Sequence, residues 1–373
     1  MLAFFVVFII GVVANLRAQI SPLLQSDFDI SYSKLGFALS FFAIGSFVST
    51  FLGGVLIEKY GLRKVLLGGL LINAIGYLNM GLINSYLALI ITVLIVGIGI
   101  ATLNIFATSL AAQIFIKDKG KMMNVFHFFY GLGSVLSPLY ANLILGFNLS
   151  WGSTYVIAIS FLGVIFLFTL KVDFPKQQEK KEKSTKLTEL FKDFRVLIFT
   201  IIFFVHTGTE LGIKSWLSIY LTDMQGRVES EVGFYLAIYF SLFTAGRLLG
   251  SFIVERVGYL KMVVFASMGT ILFISLGVVG PDYFAIFFSL AGATISINFP
   301  TLQAAMFDTF DKNISAILGL TMTSGSLGAT ILGDWGIGLT NEYFGLQQGM
   351  LLPVVYSLVL LGLIHILQKK IIA

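Results

Sequence analysis

Apolar residues run for roughly 20 positions at a time along this chain, about twelve times over, between charged or Pro/Asn/Gly-rich breaks. A helix needs about that length to cross the hydrocarbon of a bilayer. Backbone amides there find no water, so each run must satisfy its own hydrogen bonds as a helix. Of the 373 residues, 57% are hydrophobic and only 12% are charged, against about 25% charged in a soluble domain. The continuity of the runs argues against a β-barrel, whose strands are short and alternating. The expectation is an all-α integral membrane protein of twelve transmembrane helices. The first run has no basic leader and carries Asn15, Arg17, Gln19 and Pro22 where a cleavage site needs small residues, so it reads as a span. Cysteine is absent, which excludes disulfides. The net charge of +5 is not clustered on a soluble face, so no nucleic-acid partner is expected; the lipid bilayer is.

Sorting the 24 lysines and arginines by loop places 19 after even-numbered spans, in the central linker or at the C-terminus. Lys34 and Arg227 alone fall on the other side, and Arg17, Lys214 and Arg247 lie within spans. Positive charge marks the cytoplasmic side, so both termini and the linker are expected inside. The expected organisation is a six-helix bundle over 1–172, a linker over 173–195 and a second six-helix bundle over 196–373.

The halves echo one another. Glu58-Lys59-Tyr60-Gly61-Leu62-Arg63-Lys64 returns 197 residues on, from 58 to 255, as Glu255-Arg256-Val257-Gly258-Tyr259-Leu260-Lys261. Asn104 in span 4 returns as Asn298 in span 10, 194 residues on. A repeat at half the chain length is the sequence mark of a two-fold pseudosymmetric carrier. Gly54-x-x-x-Glu58-Lys59-x-Gly61-x-Arg63-Lys64 resembles the cytoplasmic loop motif of the major facilitator superfamily, with Glu58 where that family usually has Asp. The resemblance implies the major facilitator fold of two pseudosymmetric bundles, alternating access, and no enzymatic activity. It also implies a conformational latch formed by Gly54, Glu58, Gly61, Arg63 and Lys64 and echoed by Arg247, Glu255 and Gly258. Gly208-x-Glu210, Trp216 and Tyr220-Leu221 in span 7, with Asn124, His127, Gly131-x-Gly133 and Pro138 in span 5, resemble the fucose/glucose/galactose–proton symporter branch. Gly246-Arg247-Leu248-Leu249-Gly250 in span 8 fits the same branch. A member of that branch uses carboxylates in spans 1 and 4. Here those spans offer Asn15, Arg17, Gln19 and Asn104, so on this resemblance coupling sits elsewhere or works differently.

Ionisable side chains inside spans are costly and therefore mark function. His206, Glu210 and Lys214 are four residues apart and share a helical face. Glu210 falls near the bilayer centre, where carriers bind their solutes, and the three form the expected proton-coupling group. The bland alternative is a structural Glu210–Lys214 pair. Asn15, Gln19, Asn104, Asn124, His127 and Asn298 suit the hydroxyls of a polar small-molecule substrate, and the Trp216 indole suits a sugar ring. Arg17 either clamps a charge or snorkels to the outer surface. Asp334 reads as interfacial. Glycines of spans 5 and 11 are expected to line the interface between the halves. Gly133-x-x-x-Ser137-Pro138 is a degenerate echo of the antiporter motif of drug exporters. The leading reading is a monomeric, plasma-membrane secondary carrier importing a monosaccharide with protons, sodium being the other candidate ion. The alternative is a proton-coupled exporter of drugs or metabolites. No nucleotide loop, metal constellation or cofactor motif is present in the sequence. The topology is open to test, because the chain has no native cysteine. Cysteine at Lys181 should be shielded from an impermeant thiol reagent outside intact cells, and cysteine at Arg227 should label. Labelling at Lys181 reverses the orientation.

Overall fold

The computed structural model describes residues 1–114, 119–174, 190, 192–310 and 313–372. Most of the expected linker therefore lies outside the described residues. Within them there is helix and turn but no strand. Twelve helices are long and apolar enough to cross a membrane: α1 Leu2–Phe28, α2 Tyr32–Gly53, α3 Val55–Met80, α4 Tyr86–Ala111, α5 Val125–Gly146, α6 Gly152–Lys171, α7 Phe194–Met224, α8 Glu229–Val257, α9 Tyr259–Val279, α10 Asp282–Thr309, α11 Ala316–Phe344 and α12 Leu346–Lys369. The twelve expected spans are all present.

The chain divides into two compact units. One comprises Met1–Ser31, Phe37–Lys180 and Val228–Ala237, the other Tyr32–Gly36, Lys181–Arg227 and Ile238–Ala373. The first turn of α2 thus belongs to the second unit and that of α8 to the first. Those two turns are themselves counterparts in the repeat, Tyr32 answering to Glu229 at the 197-residue offset.

The repeated motif has the same backbone in both copies. Gly61 sits at φ 76°, ψ 161° and breaks the helical path that runs from Tyr32 to Met80. Gly258 sits at φ 88°, ψ 144° before α9. A Cβ at either position would meet nothing within 4 Å. Both glycines are therefore required by conformation, since side-chain-bearing residues rarely adopt such φ values, and not by lack of room. Asp193 caps α7: its carboxylate accepts the Arg195 backbone N–H at 2.9 Å and the guanidinium at 2.8 Å, and these Arg195 bonds hold it below the usual carboxylate range.

Close helix crossings carry the packing of each unit. Gly11 of α1 lies against Gly133 of α5, where a Cβ on Gly133 would fall 3.0 Å from the Gly11 Cα. In the second unit Gly208 and Gly212 of α7 meet Gly328 and Gly333 of α11 in the same manner. Gly97 of α4 abuts the Phe42 backbone of α2, and Gly292 of α10 abuts the Tyr239 carbonyl of α8. The small residues of spans 5 and 11 were expected between the halves. At Gly133 and Gly328 they instead join α5 to α1 and α11 to α7 inside each unit. The physical reason is that bilayer helices gain affinity from backbone approach, and each bundle needs that affinity for its own cohesion.

Gly328→Ala, whose methyl would overlap the Phe204 backbone, should cost about 1–3 kcal/mol by overpacking. Gly163→Ala on α6, which would meet nothing within 4 Å, should leave thermal stability unchanged or raised. Equal behaviour of the two in a detergent melting assay would overturn the crossing argument. For the turns, Gly61→Asn should be tolerated better than Gly61→Val, because Asn enters positive φ more readily; the same assay checks the order.

Candidate functional site

The expected α7 face forms a charged cluster in the second unit. Glu210 Oε1 accepts a hydrogen bond from Lys214 Nζ at 2.5 Å. Glu210 Oε2 lies 3.5 Å from His206 Nε2, in an orientation that makes no hydrogen bond. A third basic group arrives from α8: Arg247 Nη2 is 4.0 Å from Glu210 Oε1. Phe243, one turn before Arg247, holds both cations on its ring, with Lys214 Nζ 3.9 Å and the Arg247 guanidinium 4.5 Å from the centroid. Such cation–π contacts gain strength when desolvated, and Glu210 and Lys214 are each only 14% exposed. Arg247 Nε donates to the Ser296 carbonyl at 3.4 Å. The His206 ring is fully buried, 6.2 Å from the Phe299 ring. Neither of its nitrogens, nor the hydroxyl of buried Tyr239, has a hydrogen-bond partner among the described residues.

Arg247 was expected to clamp the cytoplasmic end of α8 to a carbonyl or to Glu255. It does reach a carbonyl, that of Ser296, but its charge turns to Glu210 and not to Glu255. The signal was legible, because a lone arginine inside an apolar span requires a carboxylate, and α7 supplies one near its middle. Phe243 and Tyr239 carried no such signal among so many aromatic residues.

Trp216 does not offer a stacking face. It is 1% exposed, and its indole N–H donates to the carbonyls of Gly333 and Asp334 at 3.1 and 3.2 Å. Its ring meets Tyr32 edge-on at 6.3 Å between centroids, and Tyr32 in turn donates to Asp223 at 2.9 Å. Asp334 is not interfacial either: it is fully buried and accepts the Ser215 hydroxyl at 2.6 Å. It sits in a π-helical segment, Ala329–Gly336. Asn298 is buried and donates to Ser267 Oγ at 3.2 Å, leaving its Oδ1 without a hydrogen-bond partner among the described residues.

In the first unit, Asn15 interrupts α1 and is spent on the protein. It donates to the Gly11 carbonyl at 2.8 Å and to Ser134 Oγ at 3.1 Å. Gln19 donates to Asn142 Oδ1 and to the Glu229 carbonyl, each at 3.1 Å. Arg17 is 8% exposed with its guanidinium 4.5 Å over Phe42, so it packs inside the protein and does not snorkel. Asn104 and His127 are exposed, and Asn124 has its side chain outside the described residues. Of the latch residues, Gly54 is helical, and Glu58, Arg63, Lys64 and Glu255 are exposed. Glu58 and Glu255 make no ion pair among the described residues.

Comparison with known proteins agrees with this architecture. The family model described as Major Facilitator Superfamily matches residues 2–333. Protein TsgA homolog of Buchnera aphidicola subsp. Schizaphis graminum is 21% identical over 343 residues, covering 88% of this chain and 86% of that protein. Sodium-dependent glucose transporter 1A of Mus musculus is 25% identical over 361 residues, covering 84% and 81%. A crystal structure of nucleoside transporter NupG superimposes with a TM-score of 0.85 at 16% identity, covering 98% of each chain. With twelve apolar spans, a repeated glycine turn in each half and a family match over most of its length, the chain belongs to the Major Facilitator Superfamily and is an integral, multi-pass membrane transporter.

Proposed function

We propose that this transporter is a proton-coupled symporter of a small, hydroxyl-rich solute of the sugar type, working by alternating access in the plasma membrane with both termini cytoplasmic. The observation that carries the reading is Glu210. It is a carboxylate near the middle of α7, held by Lys214 and flanked by His206 and Arg247. An apolar bilayer interior does not retain such a cluster for packing alone. Ionised, Glu210 compensates its basic neighbours. When a proton binds, the carboxylate becomes a neutral acid and its hold on Lys214 is lost. A change of charge at one site that favours one conformation over another is what links an ion gradient to a structural transition.

The names of similar proteins support the solute class. One is a glucose transporter and another a nucleoside transporter, and both solutes present ring hydroxyls. The word sodium in the first name keeps sodium as the alternative ion. The exporter reading rested on the Gly133 motif, and the crossing with Gly11 gives that glycine a packing reason instead. Trp216 and Asn15, being spent on internal hydrogen bonds, act as supports of the bundles. The exposed amide and imidazole of Asn104 and His127 remain the candidates for solute hydroxyls.

Glu210→Gln should abolish sugar accumulation driven by a pH gradient while preserving solute binding, since a neutral amide mimics the protonated acid. If Glu210 serves only to neutralise Lys214, the double change Glu210→Gln with Lys214→Met should restore driven uptake. The measurement is uptake into energised vesicles. Full pH-driven accumulation in Glu210→Gln alone, or wild-type accumulation that follows sodium and ignores pH, overturns proton coupling through this residue.

A further inference from the structure

The cluster around Phe243 is charge-unbalanced. It contains one carboxylate, Glu210, against Lys214 and Arg247, with His206 as the remaining titratable neighbour and the Tyr239 phenol buried on the same helix as Arg247. With His206 neutral, the formal charge of these groups is +1. The carboxylate is also unevenly shared. Lys214 takes Glu210 Oε1 at 2.5 Å, whereas Arg247 stands off at 4.0 Å. Only one Arg247 N–H is committed, the Nε that reaches Ser296 at 3.4 Å. The two terminal nitrogens make no hydrogen bond among the described residues. The guanidinium plane is anchored over Phe243 and the side chain remains 30% exposed. A planar fork whose stem is fixed and whose tips are uncommitted is built to receive an anion with two oxygens. A net positive charge in an apolar surround is relieved by such a partner.

We infer that Arg247, seated on Phe243 beside Lys214, docks a carboxylate on the transported solute, so that the solute is a sugar acid and not a neutral sugar. The inference rests on the sugar-type, proton-coupled reading above and narrows it. Glu210 acts as the internal anion while the site is empty. Protonation removes that internal anion, and the solute carboxylate takes its place against the two cations. One proton and one monoanion then cross together, and the loaded step moves no net charge.

The test is thermal stabilisation of the purified full-length protein by matched pairs, D-glucose with D-glucuronate and D-galactose with D-galacturonate, and by lactate as an acid without a sugar ring. A ligand of the folded state stabilises it by mass action. At least one sugar acid should reach half-maximal stabilisation at a concentration ten or more times below that of its neutral partner. Arg247→Gln should erase that difference, and Arg247→Lys, which keeps the charge but not the fork, should restore part of it. Neutral and acidic members acting alike on the wild type overturns the inference. So does a preference that survives in Arg247→Gln, or no stabilisation by any acid. If the glutamine variant fails to fold, the wild-type pairs and the lysine variant still decide. Stabilisation by lactate alone keeps an anion site but removes the sugar class of the preceding reading. Neutral sugar uptake with no acid preference keeps that reading and removes only the anion site.

Discussion

Helices inside a bilayer gain nothing from hiding apolar side chains from one another, because lipid is as apolar as leucine. Cohesion must come from backbones brought close and from the few polar bonds this allows. In each unit that requirement is met by glycine against glycine: Gly11 with Gly133, and Gly208 and Gly212 with Gly328 and Gly333. The polar bonds then follow. Asn15 reaches Ser134 because α1 and α5 are already close, and Trp216 reaches the Gly333 carbonyl because α7 and α11 are. The same closeness leaves little room for side-chain exchange at these crossings.

Charge is the second constraint, and it explains why so few ionisable groups lie within the spans. Each must find a partner or carry out a task that repays its desolvation. Glu210, Lys214, His206 and Arg247 solve the problem together, with Phe243 as a shared floor under two of the cations. Asp334 solves it by a different route, with a short hydroxyl bond from Ser215 and complete burial. The two carboxylates on neighbouring helices α7 and α11 therefore live in unlike surroundings, one among cations and one beside a hydroxyl and an indole.

Much of this was legible in the sequence because the relevant signals are local. Twelve spans follow from run length, and the turns at Gly61 and Gly258 follow from a motif repeated at a fixed offset. The α7 face follows from spacing by four. What escaped depends on the third dimension. Trp216 looked like a solute platform because its spacing from Glu210 is helical, yet its N–H points at carbonyls of a helix more than a hundred residues away. Asn104 and Asn298 are equal in sequence position but differ in burial, since the repeat preserves backbone path more faithfully than side-chain surroundings. Arg247 looked like a part of the cytoplasmic latch, and only the crossing of α8 with α7 reveals its carboxylate.

The π-helical segment Ala329–Gly336 carries a meaning of its own. A π turn holds one residue more than an α turn, so it is a place where a helix has absorbed an extra residue without breaking. Each residue of an α-helix advances the facing direction by about 100°. Were one residue lost here and the pitch relaxed to α, everything beyond it on α11 would keep its partners only if everything before it rotated by that angle. The carboxylate of Asp334 and the glycine faces of Gly328 and Gly333 point as they do by virtue of this one surplus residue. Length in this stretch of α11 therefore sets direction, and an alignment that closes the bulge as a gap would misassign every side chain on one side of it.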